Sequence, residues 1–312
     1  MKEYIIKRLA LGVVLVVAVS FLVFSLMYMM PGDPIDIMIS DRVSEETKAE
    51  MAHKYGYDLP FFTQYFNWVK GVCHLDFGTS ARYRQPVWSL LGARIPYSLR
   101  LCSLSLLVEM LFALPLGLLC AVKKDSWIDK FCVNVSLVLT AVPAFWFGTL
   151  LIVVFAVGLG WLPISGYQTP AHYILPVAAI AFTSVGSTLR ITKAEVLEVL
   201  HEKYVTTAYA KGLPRKRVLV KHVLRNSLII VVTLTFMSIP WMITGAVITE
   251  KIFAFPGMGN LLLNSIVVQD MPVVQAVLLI IAILTVICNL ASDIITAFLD
   301  PRIKDTISGG EN

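Results

Sequence analysis

The chain contains no Gly-Lys dipeptide, and so no G-x-x-x-x-G-K-[ST] phosphate loop with which to hold and hydrolyse ATP itself. H-E-x-x-H, paired C-x-x-C and G-x-S-x-G patterns are also missing, which removes the common metal-site and serine-hydrolase signatures. The histidines are few (His53, His74, His172, His201 and His222), and all fall in loops or at the ends of apolar runs. An intramembrane serine protease would therefore lack a base facing its serine. Five cysteines without C-x-x-C spacing do not form a disulfide framework, and only Cys73 lies in a long external loop. Charge is scarce too: Asp, Glu, Lys and Arg make up 15% of the chain, against about 25% in soluble domains. These absences argue against an enzyme and against an ordinary soluble fold, and no bound cofactor is expected on this chain.

Apolar residues fill the space that charge leaves. They make up 57% of the 312 residues, and the mean hydropathy is +0.75. A bilayer must solvate so apolar a surface. The apolar residues form six long runs, Leu9–Met30, Ser98–Val122, Phe131–Leu159, Tyr173–Leu189, Leu228–Ile248 and Val273–Leu299. Each reaches the roughly 17–25 residues with which a helix crosses about 30 Å of hydrocarbon, Tyr173–Leu189 being the shortest. The first run follows Lys2, Lys7 and Arg8 as a signal peptide would, but it continues past the length of an h-region and is read as a retained helix. The pattern predicts an all-α membrane protein with six transmembrane helices.

Lysine and arginine set the predicted orientation. They crowd the N-terminal tail, the loop with Lys123, Lys124 and Lys130, the loop from Arg190 to Arg225 with nine basic residues, and the tail with Arg302 and Lys304. The opposite loops have no basic residue in Gly158–His172 and only Lys251 in Thr249–Pro272. Both termini are thus expected in the cytoplasm. The net charge of +5 reads as a topology signal, with membrane lipids as neighbours and no nucleic-acid partner. The expected layout is a tail and first helix over 1–30, an external segment over 31–97, a five-helix core over 98–300 with a cytoplasmic loop over 190–227, and a tail over 301–312.

Within the external segment, Ser44–Tyr55 and the aromatic-rich Phe61–Val72 are predicted as short helices. The second would suit either the membrane interface or a packed cap on the bundle. In the cytoplasmic loop, Thr192-Lys193-Ala194-Glu195 has capping-box form, so a helix starts there or continues out of the fourth run. Leu197, Leu200, Tyr204 and Ala208 recur at helical spacing. Gly212-Leu213-Pro214 ends that helix, with Gly at the position after its C-cap and Pro opening the next.

Polar groups inside the runs are the candidates for a pathway. Glu109 lies near the middle of the second run, where an ionised group costs about 2.5–3.5 kcal/mol. It reads either as a pathway-lining group or as a hydrogen-bonding strut between helices. Asp293 lies nearer the cytoplasmic end and reads as structural, within reach of water or a basic neighbour. Ser184 and Ser187 in the fourth run and Ser238 in the fifth could line a polar passage or let helices pack closely. After the fifth run, Glu250, Phe253 and Phe255 precede Pro256-Gly257-Met258-Gly259, a punctuated external loop that is more than a linker.

Four motifs carry a resemblance: Pro31-Gly32-Asp33-Pro34, Leu75-Asp76-Phe77-Gly78-Thr79-Ser80, Ile252-Phe253-Ala254-Phe255-Pro256-Gly257-Met258-Gly259 and Asp300-Pro301-Arg302. With them the chain resembles the integral-membrane permease subunits of bacterial ATP-binding-cassette importers, in the dipeptide, oligopeptide and nickel branch. The resemblance implies a type I importer permease fold in a bacterial inner membrane, one N-terminal helix plus a five-helix core. It also implies a second homologous permease subunit, two ATPase subunits carrying ATP and magnesium, and an external solute-binding protein. The family's cytoplasmic coupling helix would fall on Tyr204, Thr207, Ala208, Gly212 and Leu213. Thr206-Thr207-Ala208 departs from the name-giving Glu-Ala-Ala, and Leu224-Arg225 and Ile230 stand where Leu-Pro and a proline are expected. The implied cargo is nickel or a metal chelate, with short peptides close behind. A stand-alone channel or ion-driven carrier is the competing class.

Overall fold

The computed structural model describes residues 2–29 and 44–299, so Pro31-Gly32-Asp33-Pro34, Asp300-Pro301-Arg302 and the tail lie outside the described residues. Within them the regular structure is helical, apart from one antiparallel bridge between Thr79 and Pro86. The first half comprises α1 (Lys2–Tyr28), α2 (Glu45–Tyr55), α3 (Phe61–Cys73), α4 (Val87–Val122), α5 (Trp127–Ala141) and α6 (Ala144–Leu151), which runs on as a π-helical stretch to Gly158. The second comprises α7 (Ala171–Leu200), α8 (Lys203–Ala210), α9 (Arg215–Val218) with a π-helical continuation Leu219–Leu224, α10 (Arg225–Ile252), α11 (Met258–Val267) and α12 (Met271–Leu299).

Among the described residues, α1 from Ile5, α4, α7 and α12 to Ile295 are long and apolar enough to cross a membrane. The pair α5 and α6 passes the same test together but is bent by 102°. The 28-residue α10 occupies the fifth predicted run, and at 1.5 Å per residue it is about 42 Å long. The chain is an all-α membrane protein, as its composition requires.

The third run departs most from the sequence reading, which took Phe131–Leu159 as one helix. Pro143 has no N–H to continue α5 and disfavours helical geometry at the residue before it. Val142 is accordingly extended, with φ −89° and ψ 126°, and α6 starts afresh in a new direction. Two further boundaries move. The fourth helix begins at Val87 rather than Ser98, because Val87, Leu90 and Leu91 are buried against Phe77, Met258, Leu261 and Val273. The capping-box reading at Thr192 gives way to its alternative: α7 runs straight through, and the buried Thr192 hydroxyl donates to the Thr188 carbonyl at 2.7 Å.

The two predicted external helices form. Ser44 caps α2 by accepting from the Thr47 N–H, and Gly56 ends it with φ 72°. Phe61 and Tyr65 of α3 meet Phe21, Phe24 and Tyr28 of α1 edge-on, with ring centroids 5.0 to 5.8 Å apart, while Phe62 and Phe66 stay exposed. One short helix thus carries both aromatics packed on α1 and exposed ones. At the other end of α1, Arg8 pairs with Asp293 of α12 at 3.1 Å, the basic neighbour expected for that carboxylate. The long helix α7 packs against α4, α5, α6 and α10. Small residues permit this: a Cβ on Gly117 would lie 2.6 Å from that of Thr192, and one on Gly186 would collide with the Ser136 carbonyl of α5.

Candidate functional site

The basic loop folds as a helix, a sharp turn and a helix. Glu202 is extended (φ −69°, ψ 142°), so α8 leaves α7 in a new direction and the Leu197-to-Ala208 stripe is split between two helices. Val205 and Ala208 point inward and form a small core with Ala121 of α4, Val196 of α7, Val218 and Val223. Tyr204, Thr207 and Gly212 face solvent, while Leu213 is half-buried. The Tyr204 hydroxyl accepts from Asn226 Nδ2 of α10 at 2.7 Å. After α8, Gly212 adopts φ +76°, its N–H donates to the Tyr209 carbonyl at 2.9 Å, and a Cβ there would meet nothing within 4 Å. Pro214 is extended and stands one residue before α9 rather than in its first turn, leaving Arg215, Lys216 and Arg217 exposed. Tyr204, Thr207 and the Gly212 turn are therefore exposed together, whereas Ala208 serves the chain's own core.

The loop after α10 is a buried knot rather than an exposed loop. Glu250, Phe253, Phe255, Gly257 and Gly259 are all buried, and only Pro256 of the six candidates is half-buried. The first N–H groups of a helix have no partner of their own. Here the Glu250 carboxylate accepts from the N–H groups of Gly259 at 2.7 Å and Asn260 at 3.1 Å, which open α11, and from Ser98 Oγ at 2.6 Å. Ser98 Oγ in turn accepts from the Met258 N–H at 2.8 Å. A Cβ on Gly257 would overlap the Glu250 carboxylate and one on Gly259 the backbone of Val247, so both glycines are there for close approach. Phe255 stands edge-on to Tyr173 with centroids 5.0 Å apart, and Phe253 packs with Leu175 and Ala179 of α7. Sequence reasoning missed a second such device. Buried Asp270 accepts from Ser80 Oγ at 2.5 Å and from the N–H groups of Ala81 and Arg82, ordering the turn between Thr79 and Pro86.

In the helix interior, Glu109 of α4 is buried and accepts from Thr188 Oγ1 of α7 at 2.5 Å, while its Oε2 has no partner. One oxygen thus acts as the interhelical strut. Ser187 and Ser238 donate to carbonyls of their own helices, Ser184 and Thr235, and Ser184 itself is half-buried. Among the described residues, no group of three His, Cys, Asp or Glu side chains could hold a metal ion.

The family model described as "Binding-protein-dependent transport system inner membrane component" matches residues 113–305, and the model of the corresponding N-terminal part matches residues 1–102. The chain belongs to this permease family. It is 37% identical to the oligopeptide transport system permease protein AppB of Bacillus subtilis, over 97% of this chain and 100% of that one. It is 37% identical to the metal-staphylopine import system permease protein CntB of Staphylococcus aureus, over 98% and 99%. Identity to the dipeptide transport system permease protein DppB of Escherichia coli K12 is 32%, over 97% and 99%. The chain is thus a multi-pass inner-membrane permease subunit of the ATP-binding-cassette importer class, resembling relatives named for peptides and for a metal chelate. Both the basic loop and the Glu250 knot lie in the segment matched to the permease family, and Glu109 falls between the two matched segments.

Proposed function

We propose that this chain is one of two homologous permease subunits in an importer driven by two ATPase subunits and fed by an external solute-binding protein. Its six crossings, with the α5–α6 pair as a broken third, leave both termini and the basic loop on the ATPase side. The helix α8 and the Gly212 turn dock in the ATPase, and the Glu250 knot lies on the opposite, external side. The observation that carries this reading is the exposed Tyr204–Thr207–Gly212 edge, backed by a small apolar core shared with α4 and α7 and by the Tyr204–Asn226 hydrogen bond to α10. A turn fixed in this way can pass motion to three helices at once. Ligand and nucleotide would then each bias one two-state bundle, which is what coupling requires.

The cargo is nickel, a metal chelate or a short peptide. The names of the relatives speak for peptides and for a metal chelate. Reconstitution into liposomes with the partner subunits tests the reading. Uptake of a radiolabelled dipeptide or nickel chelate is expected only with ATP and the binding protein. Uptake by the chain alone, without ATP, would instead make it a channel or an ion-driven carrier.

A further inference from the structure

The contact between α5 and α7 is fastened at three levels along one face of each helix. Gly186, Arg190 and Lys193 of α7 are spaced i, i+4 and i+7, and they meet Ser136, Thr140 and Asp129 of α5. At the first level the helices approach closely, since a Cβ on Gly186 would collide with the Ser136 carbonyl. At the second, Arg190 donates to Ser136 Oγ at 3.1 Å and Thr140 Oγ1 at 3.3 Å. At the third, Lys193 Nζ lies 2.6 Å from Asp129 Oδ1, with the aspartate side chain only 4% exposed. Asp129 Oδ2 also accepts from the Asp125 N–H at 2.9 Å, which closes the α4–α5 turn around the pair.

The two helices lead to different parts of the permease. One end of α7 runs through the extended Glu202 into α8. The far end of α5 is the Val142–Pro143 elbow, beyond which Gly148 of α6 lies against Phe253 of the Glu250 knot: a Cβ there would be 3.1 Å from the Phe253 ring. We infer that Asp129 and Lys193 are positioning residues that make α5 move as one body with α7, so that displacement of the coupling turn reaches the elbow in step with the knot, which α7 itself touches through Leu175 and Ala179. This rests on the importer reading above. The pair suits the task because parting would leave the Asp129 carboxylate, 4% exposed, with the Asp125 N–H as its remaining hydrogen bond among the described residues.

The test uses the full complex in proteoliposomes and reads substrate taken up per ATP hydrolysed, beside the amount of assembled complex. D129N is the milder variant, because the amide oxygen can still accept from Asp125 and Lys193, 21% exposed, can reach water. It should lower the ratio about tenfold, within the usual span of coupling between sites, with assembly and basal ATP hydrolysis retained. K193M, which removes the cation and leaves the Asp129–Asp125 hydrogen bond in place, should lower it by a similar factor. A D129N complex with the wild-type ratio, or a loss of assembled complex with an unchanged ratio per complex, overturns the inference. So does a K193M complex that assembles and keeps the wild-type ratio. A wild-type complex that transports without ATP would instead sink the importer reading.

Discussion

Single residues at both ends of the bundle are placed by backbone needs rather than by side-chain chemistry. At Gly212 the need is conformational: φ is +76° and space is open, so a side chain costs strain and nothing else. Left-handed geometry costs an ordinary residue about 1–2 kcal/mol, and Asn tolerates it best. Uptake per ATP hydrolysed should therefore fall in the order Gly, Asn, Ala, Val, with membrane insertion intact throughout. A G212V complex with normal uptake would remove the turn from the coupling route. At Gly257 the need is space, because the Glu250 carboxylate occupies the place of a side chain. E250A strands two buried donors and one half-buried donor, at roughly 1–3 kcal/mol for each buried one, and G257A displaces the same carboxylate. Each should lower the unfolding midpoint of the detergent-solubilised chain, and the double variant should be much less than additive. The sequence displayed Pro-Gly-x-Gly as a turn, but the acceptor Glu250 precedes the Gly259 and Asn260 N–H groups by more than two helical turns of chain, and its third donor, Ser98, is distant in the chain. Nothing local could reveal that the loop is buried.

At the level of elements, the helices follow from apolar length and periodicity, and their joints follow from proline and glycine. The elbow between α5 and α6 had a readable cause in Val142-Pro143, yet hydropathy alone runs through it. Its direction depends on where α6 finds Ala179 and Phe253 to pack against. Replacing the proline frees Val142 to become helical. In P143A, the distance between spin labels at the exposed Phe131 and Val157 should lengthen as the 102° bend opens. An unchanged distance would assign the bend to packing alone. The α7–α8 joint shows the converse limit. The apolar stripe from Leu197 to Ala208 reads as one helix, but the extended Glu202 separates α7 from α8, and Val205 and Ala208 turn into a core shared with α4 and α9.

For the whole molecule, the distribution of lysine and arginine predicts which face lies in the cytoplasm. The exposed Thr207 and Val267 provide the test positions. In a chain freed of its own cysteines, T207C should react with an impermeant maleimide only after the membrane is opened, and V267C should react in intact cells. The reverse pattern would invert the proposed topology. By itself the sequence determined the helical class, the bilayer as solvent, the rough spans and the basic turn, because these depend on composition and on spacing within a few residues. The tertiary structure decided what those residues touch: Glu250 with Ser98, Asp270 with Ser80, Lys193 with Asp129 and Glu109 with Thr188. Each pairing joins different parts of the chain, and a buried polar group takes whichever partner the packed helices bring within reach.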